Sequence, residues 1–323
     1  MKRRWQVLLL CALGAATAAP TSVAAQWILV PMDGAQQNHL RAYGLTYWVL
    51  NQEEKGEWLL NYRGGSFLLP DLPGVRREAA FRGVTISPVD PPAEARIRAT
   101  IAGGNMEAVP LERAPKIAIY TPPNATPWDD AVTMVLDYAG IEYEKIWDDD
   151  VINKDLNDYE WIHLHHEDFT GQYSKFYLTY AGAPWLQDEV ARNQEVARRS
   201  GFANVPELKK AVAVKIRDFV EKGGFLFAMC SATETLELAL AAGSVDIAAA
   251  YSDGTPPDAN ASSKMDWSQT LAFEGGQVQT APSVSAFSDI DGHQVNTPWR
   301  KELGVYTLFD FSAKFDPVPA MLT

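Results

Sequence analysis

The sequence predicts an α/β fold with a mainly parallel sheet and helices on its faces, plus an N-terminal β-α-β unit. Two observations support this fold class. Short apolar runs alternate with segments of helical periodicity, which is typical of parallel sheets covered by helices. In addition, the apolar run Phe225–Met229 stops at Cys230 and passes directly into a helix-like stretch, as strands do at the carboxyl edge of such sheets.

The N-terminal residues 1–25 have the composition of a secretory signal peptide. The cations Lys2, Arg3 and Arg4 precede an Ala-rich apolar stretch, and Val23 and Ala25 place small residues at −3 and −1 of a cleavage site. We therefore expect cleavage after Ala25 and a periplasmic or secreted protein. No later segment is long and apolar enough to span a membrane, so we expect no integral membrane segment after signal removal.

The charge balance and the cysteine count exclude several classes of partner and cross-link. The chain carries 41 acidic and 28 basic side chains, a formal net charge of −13, and loss of the basic signal peptide makes it more acidic. Such a surface repels phosphates, so we expect no nucleic-acid partner and instead a small-molecule ligand. Of the two cysteines, Cys11 lies in the signal peptide, so Cys230 has no intrachain disulfide partner.

Two β-α-β units are predicted in the first half of the chain. They are separated by a Pro- and Gly-rich stretch, residues 88–115, which we interpret as a boundary between an N-terminal region, residues 26–110, and an α/β domain, residues 111–323. The predicted elements are strand Trp27–Met32, helix Gln37–Asn51, strand Trp58–Tyr62, strand Lys116–Tyr120, helix Trp128–Ala139 and strand Tyr143–Trp147.

The second half continues the same pattern. A strand is predicted over Trp161–His166, an amphipathic helix over Glu207–Lys222 stopped by Gly223 and Gly224, and a strand over Phe225–Met229. A polar loop is predicted over Ser252–Lys264 and a last strand over Val305–Phe309. Because no closing helix follows that strand, we expect the natural protein to continue beyond Thr323.

Cys230 is the first candidate catalytic residue. A strand that turns sharply into a helix on its nucleophile needs small neighbours two residues before and after, and Ala228 and Ala232 meet that need. The N–H groups of the following helix favour a thiolate, and the backbone N–H of Ser231 is a candidate oxyanion donor. The alternative is an inert cysteine buried at the end of a core strand.

A histidine-rich strand end is the second candidate site. On a strand, His163, His165 and Glu167 would share one face, with His166 on the other. His163 or His165 could act as the general base for Cys230, or the three residues of the face could bind a divalent metal such as zinc. No other cofactor is expected. The alternative is that the histidines pack and bond backbone carbonyls while Glu167 and Asp168 cap the following turn.

Two weaker patterns lie nearby. The carboxylates of Asp129 and Asp130 fall at a helix start, where capping is the favoured interpretation. Five aromatic residues could line a groove for a sugar or a peptide, although we favour packing in a helical core: Tyr173, Phe176, Tyr177, Tyr180 and Trp185.

With these elements placed, the chain resembles the class I glutamine amidotransferase-like superfamily, whose fold is a flavodoxin-like or Rossmann-like three-layer sandwich. The resemblance covers residues 116–243 and rests on the layout and on the segment 228–232, Ala-Met-Cys-Ser-Ala. Segments 61–67 and 163–173 look similar to exported bacterial proteins often labelled asparagine synthetase B. The superfamily implies a cysteine nucleophile, which is Cys230 here.

The sequence departs from both patterns at defined points. It has neither the N-terminal cysteine nor the Ser-Gly-Gly-x-Asp-Ser loop of asparagine synthetases, so that chemistry is not expected. No His-x-Glu follows Cys230, since His293 precedes Gln294 and Val295. The functional hypotheses are therefore a cysteine-dependent hydrolase or amidase acting on a small amide or ester, a non-catalytic ligand-binding envelope protein, and a metal-dependent hydrolase.

Overall fold

The computed structural model describes residues 26–126 and 130–290, which form two β-sheets with helices packed on them. The predicted signal peptide and the predicted strand Val305–Phe309 lie outside these residues. The strands are β1 Trp27–Val30, β2 Gly56–Leu60, β3 Ser66–Pro70, β4 Ser87–Val89, β5 Glu107–Leu111, β6 Ile117–Tyr120, β7 Glu144–Ile146, β8 Trp161–Leu164 and β9 Phe225–Ala228. The α-helices are α1 His39–Asn51, α2 Pro73–Arg82, α3 Pro91–Gly103, α4 Ala131–Ala139, α5 Asp148–Asn153, α6 Tyr177–Tyr180, α7 Pro184–Arg199, α8 Val205–Glu221, α9 Ser231–Ala242 and α10 Ala250–Asp253.

The N-terminal sheet is antiparallel, which corrects the prediction of a parallel sheet there. Its strand order is β4-β1-β3-β2-β5, and every neighbouring pair runs antiparallel. Strands β1 and β2 do run in the same direction across α1, but β3 lies between them. The order and directions of β1 to β4 with α1 and α2 are those of a split β-α-β arrangement.

The proline-rich stretch from residue 88 to 115, which we interpreted as a boundary, is folded over most of its length. It contains the end of β4, α3 and β5, and β5 pairs along its whole length with β2. The prolines are compatible with these elements because Pro91 and Pro92 occupy the first turn of α3, where no backbone donor is needed. Pro110 lies in β5, an edge strand of this sheet, where a missing N–H is tolerated.

The second sheet is parallel, as the sequence predicts. Its strand order is β7-β6-β8-β9, and each pair runs parallel. Its first strand, β6, has β7 on one side and β8 on the other. The connection after β6 therefore leads to one edge of the sheet, to β7, while the connection after β8 leads towards the other edge, to β9. This reversal is a topological switch point, where the loops after the strands separate and leave a crevice.

The parallel strands are covered by helices because β6 is apolar on both of its faces. Ala118 and Tyr120 belong to a buried cluster with Leu208 and Val212 of α8, whereas Ile117 and Ile119 pack with Leu136 of α4. Helix α8 carries the predicted amphipathic face, and Asn204 caps its N-terminus by accepting from the backbone N–H of Glu207 at 2.9 Å.

Helices α1 and α4 cross closely between the two sheet regions. A Cβ atom at Gly44 of α1 would lie 1.8 Å from the carbonyl oxygen of Ala139, so only glycine fits at this position. Arg82 donates to the same carbonyl at 2.6 Å. Within residues 26–126 and 130–290, no helix has both the length and the apolar character required to cross a bilayer.

Candidate functional site

Cys230 occupies a sharp turn between β9 and α9, as the sequence predicts. Its backbone has φ 51° and ψ −140°, a conformation that a non-glycine residue adopts only at an energetic cost. Its side chain is exposed, so the interpretation as an inert core cysteine is wrong. Because α9 begins at Ser231, the cysteine immediately precedes the first N–H groups of the helix.

The strand register places the histidine segment directly beside Cys230. Leu164 of β8 pairs with Ala228 of β9, so the residues that follow these two positions leave the sheet side by side. The N–H of Met229 donates to the carbonyl of Leu164 at 3.0 Å. Beyond the strands, the Ser231 hydroxyl donates to the carbonyl of His166 at 2.8 Å. The His165–His166 turn and the Cys230 turn are thus joined by hydrogen bonds.

Strand β8 ends at Leu164, which is two residues earlier than predicted. His163 therefore lies within the strand and is fully buried, whereas His165 and His166 lie in the turn that follows it. The rings of His163 and His165 do share one face, with centroids 6.2 Å apart. The Nδ1 atoms of His165 and His166 are 3.0 Å apart, so one of these two nitrogens donates and the other accepts.

His163 lies between two hydrogen-bond acceptors. Its Nδ1 is 3.1 Å from the carbonyl oxygen of Phe227, and its Nε2 is 3.0 Å from Oδ2 of Asp130. Both ring nitrogens of His163 therefore face acceptors, but a neutral imidazole has a single N–H. Hydrogen bonds at both nitrogens require one additional proton shared between His163 and Asp130. Burial lowers the pKa of His163, while Asp130 and the Phe227 carbonyl act in the opposite direction.

Asp130 links α4 to both histidines. It caps α4, since its Oδ1 accepts from the N–H of Val132 at 2.7 Å, which confirms the capping interpretation at this position. The same oxygen is 3.7 Å from Nδ1 of His165. Trp128 and Asp129, the start of the predicted helix, lie outside the described residues. Within residues 26–126 and 130–290, no hydrogen bond joins the Cys230 thiol to His163, His165 or Glu167.

Glu167 does not face the histidines as a ligand. Its Oε2 accepts from the backbone N–H of His165 at 2.9 Å, and burial raises its pKa. Among the residues the structure describes, no three His, Cys, Asp or Glu side chains are grouped to hold a metal ion. The side chains of His163, His165 and Glu167 therefore do not form a metal site among the described residues. Strand β8 ends at Leu164, so the strand alternation that would have placed Glu167 on the face of the histidines does not extend to it.

Asp168 organises the loop from residue 168 to 175. Its buried carboxylate accepts from the N–H groups of Thr170, Gln172 and Ser174, at 2.8, 2.9 and 2.9 Å, and from the Thr170 hydroxyl at 2.6 Å. Within this loop Tyr173, Ser174 and Lys175 all have positive φ, at 54°, 52° and 56°. Three consecutive non-glycine residues in this region form a strained left-handed turn, of the kind that concentrates at functional sites.

A cavity of about 470 Å³ opens beside this loop, at the carboxyl ends of β6, β7 and β8. It lies at the switch point of the parallel sheet, and its volume is in the range of small-molecule sites. His166, Glu167 and Asp168 contribute to its wall, but Cys230 does not. Lysine 209 is buried at this cavity, and its Nζ lies 2.8 Å from the Tyr120 hydroxyl and 3.0 Å from Asp148.

Several residues of the cavity and of the histidine cluster were not predicted as site residues from the sequence. Asp130 was recognised as a helix cap but not as a partner of the histidines, and Lys209 and Asp148 were not recognised at all. Helix α7 was also missed, although Trp185, Glu189, Arg192 and Asn193 recur at helical spacing and line the cavity. That spacing was the available signal, whereas the buried Lys209–Asp148 pair joins positions far apart in the chain.

Comparisons with known proteins give no further identification. No family model, no curated protein and no solved structure matches this chain.

Proposed function

We propose that the protein is an exported cysteine-dependent hydrolase or amidase that acts on a small amide or ester. The single observation that carries this proposal is the backbone of Cys230, with φ 51° and ψ −140° at a strand-to-helix turn. A fold that holds an exposed cysteine in such a conformation gains nothing in stability from it, whereas a nucleophile there projects above the sheet edge.

The chemistry follows from the groups around Cys230. The Cys230 sulfur attacks the carbonyl carbon, and a C–S bond forms while the C–N or C–O bond to the leaving group breaks. His165 takes the thiol proton and returns it to the leaving group, and Asp130, 3.7 Å from its Nδ1, orients and stabilises the imidazolium. The Ser231 N–H would stabilise the oxyanion. Water then hydrolyses the thioester.

The fold supports the same assignment. The order β7-β6-β8-β9 corresponds to the first four strands of the flavodoxin-like order 2-1-3-4-5, and helices pack against both faces of β6. This order is the reason that we propose a flavodoxin-like three-layer sandwich of the class I glutamine amidotransferase-like superfamily. In this proposal the imidazole comes from the His165–His166 turn that follows β8, whereas the superfamily has its histidine after the cysteine in the chain.

The test is covalent capture of an acyl group. The mature protein is incubated with p-nitrophenyl esters and p-nitroanilides of short acyl chains, and intact mass is followed with chromophore release. We expect a burst of product and an adduct that maps to Cys230. Cys230→Ala should abolish both, and His165→Gln should slow acylation about 100-fold, the usual contribution of a general base.

The matched control is His39→Gln, a histidine on α1 that contacts the carbonyl oxygens of Met32 and Asp33 in the N-terminal region. It should acylate at the wild-type rate. An adduct that persists in Cys230→Ala, or equal rates for His165→Gln and His39→Gln, would contradict the proposed roles. Circular dichroism establishes that each variant is folded.

A second candidate is a ligand-binding envelope protein without chemistry. The observation that favours it is the separation between Cys230 and the cavity at the switch point, since the cysteine does not contribute to the cavity wall. Under this alternative the cavity binds ligand with equal affinity in wild type and Cys230→Ala, and no substrate acylates the protein.

A further inference from the structure

One wall of the switch-point cavity is a stripe of side chains on α7. Trp185, Glu189, Arg192 and Asn193 are spaced at i, i+4, i+7 and i+8 and all four line the cavity. This spacing places them on a single helix face. A helix of a packed domain normally turns its apolar face inward, so polar residues on the inward side require a polar neighbour.

The polar groups of this stripe have no partner within residues 26–126 and 130–290. Asn193 is 5% exposed, and among the described residues no hydrogen bond or ion pair involves its amide, the Glu189 carboxyl or the Arg192 guanidinium. Two further polar atoms at this cavity, the buried indole N–H of Trp147 and the buried hydroxyl of Tyr173, have no hydrogen-bond partner among the described residues, and such groups indicate a missing ligand or water. Burial also raises the pKa of Glu189, as expected for a carboxyl without a cation in contact.

The other charged residues of the cavity are already compensated. Lys209 pairs with Asp148 at 3.0 Å, and Asp168 receives the four hydrogen bonds of its loop. Lys145 donates to the carbonyl of Ala125 at 2.9 Å. What remains for a ligand is the carboxyl, the guanidinium and the amide of the stripe, which together carry no net charge, and with them the indole N–H of Trp147 and the hydroxyl of Tyr173.

The cavity has an aromatic mouth, where Phe176 and Trp185 line the cavity and Tyr180 packs against both rings. Phe176, Tyr180 and Trp185 form a cluster with ring centroids 5.7 to 6.1 Å apart, and each is nearly half exposed, at 46%, 47% and 49%. The prediction that these three rings pack in a helical core is therefore wrong. Exposed rings grouped at the edge of a polar cavity provide a flat apolar surface for a ligand that is itself apolar on one face.

We propose that this cavity binds a neutral saccharide, a mono- or disaccharide, through the α7 stripe and the aromatic mouth. The C–H face of a pyranose ring matches an aromatic surface. Each hydroxyl of the pyranose both donates and accepts hydrogen bonds. Two neighbouring hydroxyls therefore match a planar carboxyl, amide or guanidinium group, which makes two hydrogen bonds side by side. The inference goes beyond the proposed hydrolase function and does not depend on Cys230.

The test is calorimetric titration of the mature protein with glucose, galactose, mannose, N-acetylglucosamine, maltose, cellobiose and lactose. We expect saturable binding of at least one of them. Asn193→Ala and Trp185→Ala should each weaken that binding about tenfold or more, the loss that one hydrogen bond or one stacking contact represents. Because the Trp185 side chain is half exposed, Trp185→Ala should fold even if Asn193→Ala, a change at a buried position, does not.

The matched control is Gln194→Ala, an exposed amide on the same helix adjacent to Asn193, which should bind as wild type. Cys230→Ala should also bind as wild type, so failure of the hydrolase proposal would leave this result intact. Glucose 6-phosphate and free glycine serve as charged and zwitterionic comparators. Absence of binding by all seven saccharides, tighter binding of either comparator, or equal affinities for Asn193→Ala and Gln194→Ala would overturn the inference.

Discussion

Replacement of Asp168 by Asn tests how the strained loop beside the cavity is held. In the native protein Oδ1 accepts from the N–H and the hydroxyl of Thr170, and Oδ2 accepts from the N–H groups of Gln172 and Ser174. An amide retains one oxygen only. Two of the four bonds are therefore lost, and the new NH₂ group points at the two groups that donated to the replaced oxygen.

The expected cost follows from the number and the kind of these bonds. A hydrogen bond to a charged group contributes about 1.5–3 kcal/mol, so loss of two amounts to about 3–6 kcal/mol. Asp168 is only 8% exposed, so water replaces few of the lost bonds. We expect Asp168→Asn to lower the free energy of unfolding by about 3 kcal/mol or more, a large part of the roughly 5–15 kcal/mol typical of a domain.

The measurement is urea unfolding monitored by tryptophan fluorescence, with the midpoint and slope fitted together. The control is Asp155→Asn, because Asp155 makes the same kind of contact with a backbone N–H two residues later, at 3.1 Å, on the exposed surface. Its change should stay below about 1 kcal/mol, as for most surface substitutions. Similar small losses in both variants would refute the assignment of Asp168 as the anchor of the loop.

Three further substitutions test the site. Cys230→Gly should raise the free energy of unfolding by about 1 kcal/mol relative to Cys230→Ala in urea unfolding, because glycine adopts positive φ without strain; equal stabilities would argue against strain. Lys209→Met should lower the free energy of unfolding by about 3–5 kcal/mol, because it leaves Asp148 buried and without its cation. In a double-mutant cycle, the addition of Asp148→Asn should restore part of that loss. Strictly additive losses would show that the two residues are not coupled. Burial raises the pKa of Glu167 above its ordinary 4.5, so the native state binds more protons than the unfolded state just above pH 4.5 and stability falls as pH rises through that window. Glu167→Gln should flatten this fall in unfolding curves measured from pH 4 to 7, and parallel curves for the two proteins would contradict it.

Local patterns in the sequence predicted the strands and one long helix of the parallel half of the fold, although not helix α7. The strand β6, helix α8 and strand β9 follow from apolar runs and from an amphipathic period, both of which depend on neighbours within a few residues. The turn at Cys230 follows for the same reason, since small residues on either side of it and a helix after it are local features.

The N-terminal sheet could not be predicted in the same way. The apolar runs of β1 and β2 indicate strands, but not which strand lies between them. Insertion of β3 makes the sheet antiparallel, and that choice depends on pairing between residues 27–30 and 66–70. The end of β4, helix α3 and strand β5, which lie within residues 88–115, were not predicted either, because the position of these prolines at a helix start and in an edge strand is set by tertiary structure.

The sequence by itself determined where Cys230, the histidines and the parallel strands lie along the chain, because these depend on composition and short-range periodicity. Only the tertiary structure decided which of these groups meet. It brought Asp130 to His163, turned Glu167 onto its own backbone, and closed a cavity between α7 and the switch point. Such contacts depend on strand order and on where each strand ends, because side chains alternate between the two faces of a sheet only as far as the strand continues.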